Sequence, residues 1–418
     1  MSLGADRSYK MKLRDVENAF KYRRIPYPKR SVELIALLAI SCTFFLFMHT
    51  NKLNSRLKEM EVKLQPSEFS ALGLTSNHVS GHDAGKHDDI NTLHGTYQYL
   101  KSTGQILQLN AQDLNNTPKA DIDVLFFNRV PKTGSMQLIE LMRQLGKVHD
   151  YEVEKDPQNG GVLPILELPE QSDMIENIVN LEDGTVFASH VNYLNFTKNE
   201  QPRPIYINMV RDPVDRVVSW YYYIRAPWIF VPGRRRSNRE MPNPKWVNTE
   251  YDQCVLSGEK VCTYIEGSLL EHVGDHRRQT LFFCGHDEFK CTPFNSRLAL
   301  QIAKLNVERE YAVVGTWEHT NETLAVLEAY VPRYFADASK MYYSGLHEEK
   351  QNDNPMKPHI SQEILDMVRR NFTREIEFYQ FCRQRLHKQY LALKLNDLRR
   401  VDKSLVQLEA ANDMAIRN

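Results

Sequence analysis

Residues 124–142 read Val-Leu-Phe-Phe-Asn-Arg-Val-Pro-Lys-Thr-Gly-Ser-Met-Gln-Leu-Ile-Glu-Leu-Met, an apolar run, a short basic turn, then apolar residues at helical spacing. The turn holds one lysine and two hydroxyls. Peptide N–H groups that open a helix lack intrahelical partners and carry partial positive charge, so a turn of this kind binds an anion, and Lys132 adds a full charge. It is not the nucleoside-triphosphatase loop, whose lysine follows its glycines in Gly-x-x-x-x-Gly-Lys-Ser/Thr. In this chain Lys132 comes first. Read alone, the segment has a rival reading as an ordinary exposed turn with a solvated lysine.

A second candidate follows another apolar strand. Residues 204–210 run into Arg211-Asp212-Pro213, which marks a turn, and an aromatic-rich helix continues to Arg225. Arg211 at the strand end and Ser219 two helical turns further on can face one phosphate, to which a guanidinium offers a planar fork of donors. The rival reading has Asp212 capping a helix beside a solvated Arg211. Two such motifs in this order, about 80 residues apart, favour one shared anionic ligand.

The elements that must position these residues alternate. From 121 to 395, strand-like segments such as 184–190, 204–210 and 311–315 are separated by amphipathic segments such as 322–330, a pattern that predicts an α/β fold with a central parallel sheet flanked by helices. Ligands bind such sheets beyond the carboxyl ends of the strands, where Lys132, His190 and Arg211 all fall. A long helix is predicted from Ser361 to Leu395, with Phe372, Ile376, Tyr379 and Cys382 buried. Residues 396–418 form a separate polar tail with a leucine stripe at Leu398, Leu405 and Leu408, either a docking helix or a frayed end.

The chain has 418 residues, 53 basic and 53 acidic, so its formal charge is zero and no nucleic-acid partner is expected from global attraction. The ends differ from the middle. Residues 1–30 are strongly basic and residues 34–48 are uncharged and apolar. Fifteen residues rise only about 23 Å as a helix, short for a hydrocarbon core of about 30 Å unless flanking residues extend the span. The leader is too long for a cleaved signal peptide, and the positive-inside bias places it in the cytosol. The reading is a cytosolic tail (1–30), a single-pass type II anchor (31–50), a flexible luminal stem (51–120), the catalytic body (121–395) and the tail (396–418). Leu53, Leu57, Met60 and Leu64 make two heptads, a short coiled coil or a solvated stem helix.

Cysteine usage agrees with a luminal body. Cys42 lies in the anchor, Cys254 and Cys262 form one local pair, Cys284 and Cys291 another, and Cys382 stands alone. Two small disulfide loops are expected; a zinc site would show tighter spacing. Asn-x-Thr sequons occur at Asn115, Asn195, Asn321 and Asn371.

Taken in order, residues 128–133, 189–196, 204–208, 211–216 and 282–286 and the two cysteine pairs resemble the heparan sulfate and uronyl 2-O-sulfotransferase family, and within it the arthropod Pipe-type members. The resemblance covers residues 124–391. It implies a P-loop-like sulfotransferase fold and a Golgi type II enzyme. Such an enzyme transfers sulfuryl from 3′-phosphoadenosine 5′-phosphosulfate (PAPS) to a uronic acid 2-hydroxyl of a glycosaminoglycan or glycoprotein glycan, without a metal. Lys132 would contact the phosphosulfate, with Thr133, Gly134 and Ser135 as loop donors, and Arg211 and Ser219 would hold the 3′-phosphate. His190 matches the general base, a role that a neutral imidazole suits. Arg129 would sit between cofactor and acceptor, where charge develops. Arg234, Arg235 and Arg236, a dense basic loop, would bind glycan carboxylate and sulfate groups.

Departures limit the match. Heparan-type members carry a second hydroxyl where this chain has Met136 and a histidine where it has Ala188, which implies a differently positioned acceptor. The late lysine-rich cofactor loop is represented only by Glu349–Lys357. The stem heptads and the trimeric habit of heparan-type relatives point to a homo-oligomer. The rival readings are a luminal glycan- or PAPS-binding protein without turnover, and a kinase-like phosphotransferase, which would need a Walker loop and an acidic metal pair.

Overall fold

The structure, a computed structural model, describes residues 91–155, 165–236, 238–269, 276–346 and 358–417. The basic tail, the anchor with Cys42, the stem heptads and Glu349–Lys357 lie outside the described residues. Among the described residues, no helix is long and apolar enough to cross a membrane.

Five parallel strands, β1 (Val124–Asn128), β2 (Glu152–Lys155), β3 (Thr185–Ser189), β4 (Ile205–Val210) and β5 (Tyr311–Thr316), form one sheet in the order β2-β3-β1-β4-β5. Every residue of β1, β3, β4 and β5 is buried, as a parallel sheet covered on both faces requires. The chain leaves β1 for one side of the sheet and later returns to the other. This reversal opens a crevice at the carboxyl ends of β3, β1 and β4.

The longer helices among the described residues are α1 (Leu93–Ser102), α2 (Ser135–His149), α3 (Leu168–Val179), α4 (Pro213–Arg225), α5 (Pro227–Arg236), α6 (Arg297–Arg309), α7 (Thr320–Tyr330), α8 (Gln362–Asn371) and α9 (Thr373–Arg417). Alternation along β1 assigns the layers. Leu125 and Phe127 share a core with Leu138, Ile139 and Met142 of α2 and Leu324 and Leu327 of α7. Val124 and Phe126 share the opposite one with Ile175 and Ile178 of α3 and Ala299 and Leu300 of α6. Phe126 lies among Phe187, Phe196 and Tyr206 at ring separations of 6.1, 6.0 and 5.6 Å. Truncating such a residue to alanine costs about 3–5 kcal/mol.

α9 closes the β5 edge. Its Phe378 and Cys382 belong to one core and its Leu386 and Ala392 to the other. Between them, Arg385 Nη2 donates to the Tyr311 carbonyl at 2.9 Å, and Gln389 Nε2 donates to the Ala312 carbonyl at 2.8 Å. These side chains satisfy backbone acceptors that an edge strand would otherwise present for pairing.

Three boundaries differ from expectation. The stem expected to reach residue 120 has given way to folded structure by residue 91. Thr92 Oγ1 caps α1 by accepting from Gly95 N at 2.9 Å, and Tyr97 and Leu100 are buried. Buried Asn116 donates through Nδ2 to the carbonyls of Glu308 and Tyr311. Composition misled because the few apolar residues of this stretch are spent on contacts with elements far along the chain.

The helix expected at 361–395 is instead two helices, interrupted at Phe372 (φ −107°, ψ 23°). Phe372 packs at 4.8 Å from Tyr264 and 5.0 Å from Phe294, so its burial sets the break. Of the residues expected on the buried face, Phe372, Tyr379 and Cys382 are buried and Ile376 is partly so. α9 then continues unbroken to Arg417, so residues 396–417 prolong that helix rather than forming a separate tail.

Both expected disulfides are present, Cys254–Cys262 and Cys284–Cys291, and Cys382 is a buried free thiol.

Candidate active site

Asn128 anchors the carboxyl end of β1. Its Oδ1 accepts from Tyr311 Oη at 2.9 Å and Asn208 Nδ2 at 3.0 Å, and its Nδ2 donates to the Phe282 carbonyl at 2.9 Å. A buried amide with its donors and acceptors used fixes where the next residues emerge. Arg129 N then donates to the Ser189 carbonyl at 2.8 Å, tying the loop to the end of β3.

The loop between β1 and α2 is held from three sides. Thr133, fully buried, donates its hydroxyl to the Val130 carbonyl at 2.9 Å. Arg216 of α4, also buried, donates Nε to the Pro131 carbonyl and Nη1 to the His276 carbonyl, both at 2.9 Å. Trp317, just beyond β5, lies over Gly134: a Cβ there would stand 2.0 Å from Trp317 Cε3. Gly134 also needs its left-handed backbone, φ 81°, and it opens α2 without a side-chain cap. The first peptide N–H groups of α2 thus turn toward the strand ends, with the positive pole of the helix dipole behind them. Lys132, itself at φ 65°, carries Nζ 3.9 Å from the centre of the Tyr223 ring.

Arg216, Ser219 and Tyr223 recur at helical spacing, so they share one face of α4. Because Arg216 and Tyr223 both touch the loop, half-buried Ser219 between them is turned the same way. Arg211, directly after β4, sits in a reciprocal clamp: its N–H donates to Gln279 Oε1 at 3.0 Å and its carbonyl accepts from Gln279 Nε2 at 2.9 Å. The peptide N–H groups of Gln279 and Thr280 donate to Glu375 of α9. Asp212 caps α4, as the rival reading of this motif had it, accepting from Val214 N and Asp215 N, while its own N–H donates to Glu318 Oε1.

His190 follows β3 directly, and its Nδ1 lies 2.9 Å from the Arg129 carbonyl. Burial, the Arg129 charge and, to a smaller degree, Arg216 drive its pKa down to about 3, opposed only by that hydrogen bond. The imidazole is therefore neutral at physiological pH. Burial lowers Arg129 to about 10, which leaves it charged. Arg129 Nη1 donates to Met136 Sδ at 2.8 Å. Three buried guanidinium nitrogens at these strand ends, Arg129 Nε, Arg211 Nε and Arg216 Nη2, have no hydrogen-bond partner among the described residues. This excess of cationic donors, beside an uncapped helix start, fits a polyanionic donor such as PAPS.

The crevice thus gathers Lys132, Gly134, Ser135, His190, Arg129, Arg211 and Ser219, drawn from three strand ends. Thr133 differs in one respect: its hydroxyl closes the loop internally. Arg234, Arg235 and Arg236 are not in a loop but in the last turn of α5, with Arg234 Nη1 donating to the Glu240 carbonyl. The aromatic run continues into helix because Phe230 and Trp246 pack edge to face, 6.3 Å apart.

Arg216, Gln279, Glu375, Trp317 and Tyr223 were missed by sequence reasoning. Only Arg216 carried a local signal, as the last residue of the Arg211–Arg216 motif. Of the sequons, Asn321 and Asn371 are exposed, whereas Asn115 and Asn195 are half-buried, each with Oδ1 accepting a nearby backbone N–H.

Comparison with known proteins places this geometry. The chain is 47% identical to the uronyl 2-sulfotransferase homolog pip of Drosophila melanogaster, over 94% of this chain and 95% of that one. It is 32% identical to heparan sulfate 2-O-sulfotransferase 1 of Homo sapiens, over 62% of this chain and 69% of that one. The Gallus gallus protein of the same name is 31% identical over the same shares. The sequence pattern of the sulfotransferase family matches residues 118–382, a span that starts just before β1 and ends within α9, and the chain belongs to that family.

Proposed function

We propose that this sulfotransferase moves a sulfuryl group from PAPS to the 2-hydroxyl of a uronic acid in a glycosaminoglycan or glycoprotein glycan. The observation that carries the reading is the meeting of His190, Arg129, Lys132 and Arg211 at three adjacent strand ends, with His190 held neutral. PAPS, when bound, supplies an activated sulfuryl group and a phosphate leaving group. Lys132, the α2 N-terminus and the loop peptides from Thr133 to Ser135 would hold the 5′ end, and Arg211 and Ser219 the 3′-phosphate.

Since a carbonyl only accepts, His190 Nδ1 carries the hydrogen and Nε2 presents a lone pair to the acceptor hydroxyl. Nε2 takes the hydroxyl proton as the oxygen–sulfur bond forms and the sulfur–oxygen bond to phosphate breaks. Arg129 and Lys132 are placed to stabilise the charge that grows on the transferring and leaving oxygens, which in a partly dehydrated site is worth several kcal/mol.

The luminal address is part of the same proposal. Its support is the basic leader, the apolar segment at 34–48 and two disulfides in the folded body, which an oxidising Golgi lumen permits. A homo-oligomer is proposed on the stem heptads.

The test is transfer from labelled PAPS onto desulfated heparan, dermatan and secreted glycoproteins, with fractionation and glycosidase digestion for the address. Labelled product that is absent with His190→Ala supports the reading. PAPS binding without transfer to any acceptor would favour a non-catalytic luminal binding protein, and failure to bind PAPS would remove the cofactor assignment.

A further inference from the structure

The catalytic reading gives no role to Trp228, whose side chain is 54% exposed at the second residue of α5. Its neighbours explain why it points outward. Phe230 packs on Trp246, and the Arg225 guanidinium lies 3.5 Å from the Tyr221 ring centre and 4.4 Å from that of Trp246. These contacts pin α5 from within. Seven residues after Trp228, two helical turns, Arg235 returns to the same face, and Arg235 and Arg236 are both exposed. Between residues 227 and 245 the chain carries Arg234, Arg235, Arg236, Arg239 and Lys245 against Glu240 alone. The exposed indole therefore sits in a strongly cationic neighbourhood.

The location is close to the chemistry. Tyr223, whose ring contacts Lys132, precedes Trp228 by five residues, so at most about 18 Å of chain separates their Cα atoms. A few sugar units span that distance. The C–H face of a pyranose packs on an electron-rich indole, and a tryptophan loses little rotamer entropy when it is covered.

We propose that Trp228 is a stacking platform for a sugar ring of the acidic acceptor chain, one or a few units from the ring that reacts, with Arg235 and Arg236 pairing that chain's carboxylate or sulfate groups. An uncharged chain would meet no partner for this charge, and a cationic one would be repelled. The inference rests on the acceptor reading given above, and it predicts that acceptor length matters.

The experiment compares the purified full chain with Trp228→Ala and Trp228→Phe, using desulfated heparin and desulfated dermatan polymers as probes, both as acceptors and as immobilised columns. Trp228→Ala should raise the acceptor KM about tenfold, leave kcat and the PAPS KM unchanged, and elute earlier in salt; Trp228→Phe should recover most of the loss. Wild-type protein retained on neither polymer would overturn the glycosaminoglycan-acceptor reading and this inference with it. Equal retention and equal KM for wild type and Trp228→Ala would overturn the Trp228 assignment alone. So would a change in oligomeric mass with KM intact, which would make the patch a contact between copies of the chain.

Discussion

The imidazole of His190 and the backbone carbonyl of Arg129 stand 2.9 Å apart, joining the end of β3 to the end of β1. This hydrogen bond sets the tautomer of the imidazole, while the β1–β3 ladder and the bond from Arg129 N to the Ser189 carbonyl hold the two strand ends together. The Arg129 carbonyl belongs to the residue whose guanidinium, after burial, does most to keep the imidazole neutral.

Removing the base should therefore stop transfer without dismantling the site. His190→Ala should lower kcat by about 10²–10⁴-fold while PAPS affinity stays within threefold of wild type. Single-turnover transfer and equilibrium PAPS binding, measured on the same preparations, check this; a kcat within tenfold of wild type would rule His190 out as the base.

The depressed pKa of His190, about 3, moves its titration out of the neutral range. Protonation removes the lone pair, so activity should fall on the acid side only. With His190 as base, kcat/KM should lie flat from about pH 8 down to about pH 5 instead of dropping near the ordinary histidine value of about 6.5. A pH–rate profile with a limb between 6 and 7 that shifts in Arg129→Gln would instead show an imidazole titrating in contact with that charge.

Arg216 holds the loop between β1 and α2 through the Pro131 carbonyl and a neighbouring segment through the His276 carbonyl. Arg216→Lys keeps the charge but not the fork, so its effect should fall on loop position: PAPS KM up by about tenfold, kcat changed less. Arg216→Met takes a donor from the buried Pro131 carbonyl and another from the partly buried His276 carbonyl and should lose about 2–4 kcal/mol of stability. Urea midpoints and PAPS titrations separate the two effects.

Gly134 and Trp317 fit only together. Gly134→Ala imposes about 1–2 kcal/mol for the left-handed backbone and drives a methyl into the indole, while Trp317→Ala removes the obstruction. The double variant should accordingly be more stable than the sum of the single losses predicts, by about 1 kcal/mol or more in a double-mutant cycle. Additive losses would mean that the indole yields at no cost.

Much of the site was legible because its parts are local. A strand followed by Lys132-Thr133-Gly134 and a helix makes an anion-binding turn wherever it folds, and Asp212-Pro213 opens a helix by side-chain capping alone. The paired cysteines, seven and eight residues apart, could close small loops without help from distant chain. What failed in the reading depended on remote partners: α1 looked like stem until its Tyr97 and Leu100 found a core, and the basic residues 234–236 looked like loop until Phe230 met Trp246.

The sequence by itself pointed to β1, β3, β4 and β5, a candidate anion-binding turn, a candidate base and both cysteine pairs, since each rests on residues close enough in the chain to act on one another. Only the tertiary structure decided that the Arg129 carbonyl faces His190, that Arg216, Gln279 and Glu375 brace the strand ends, and that Trp317 excludes any side chain at Gly134. Those relationships join residues up to 183 positions apart, as Asn128 and Tyr311 are. Which of many distant polar groups becomes the partner is set by the packing of whole helices against the sheet, and no short stretch of sequence encodes it.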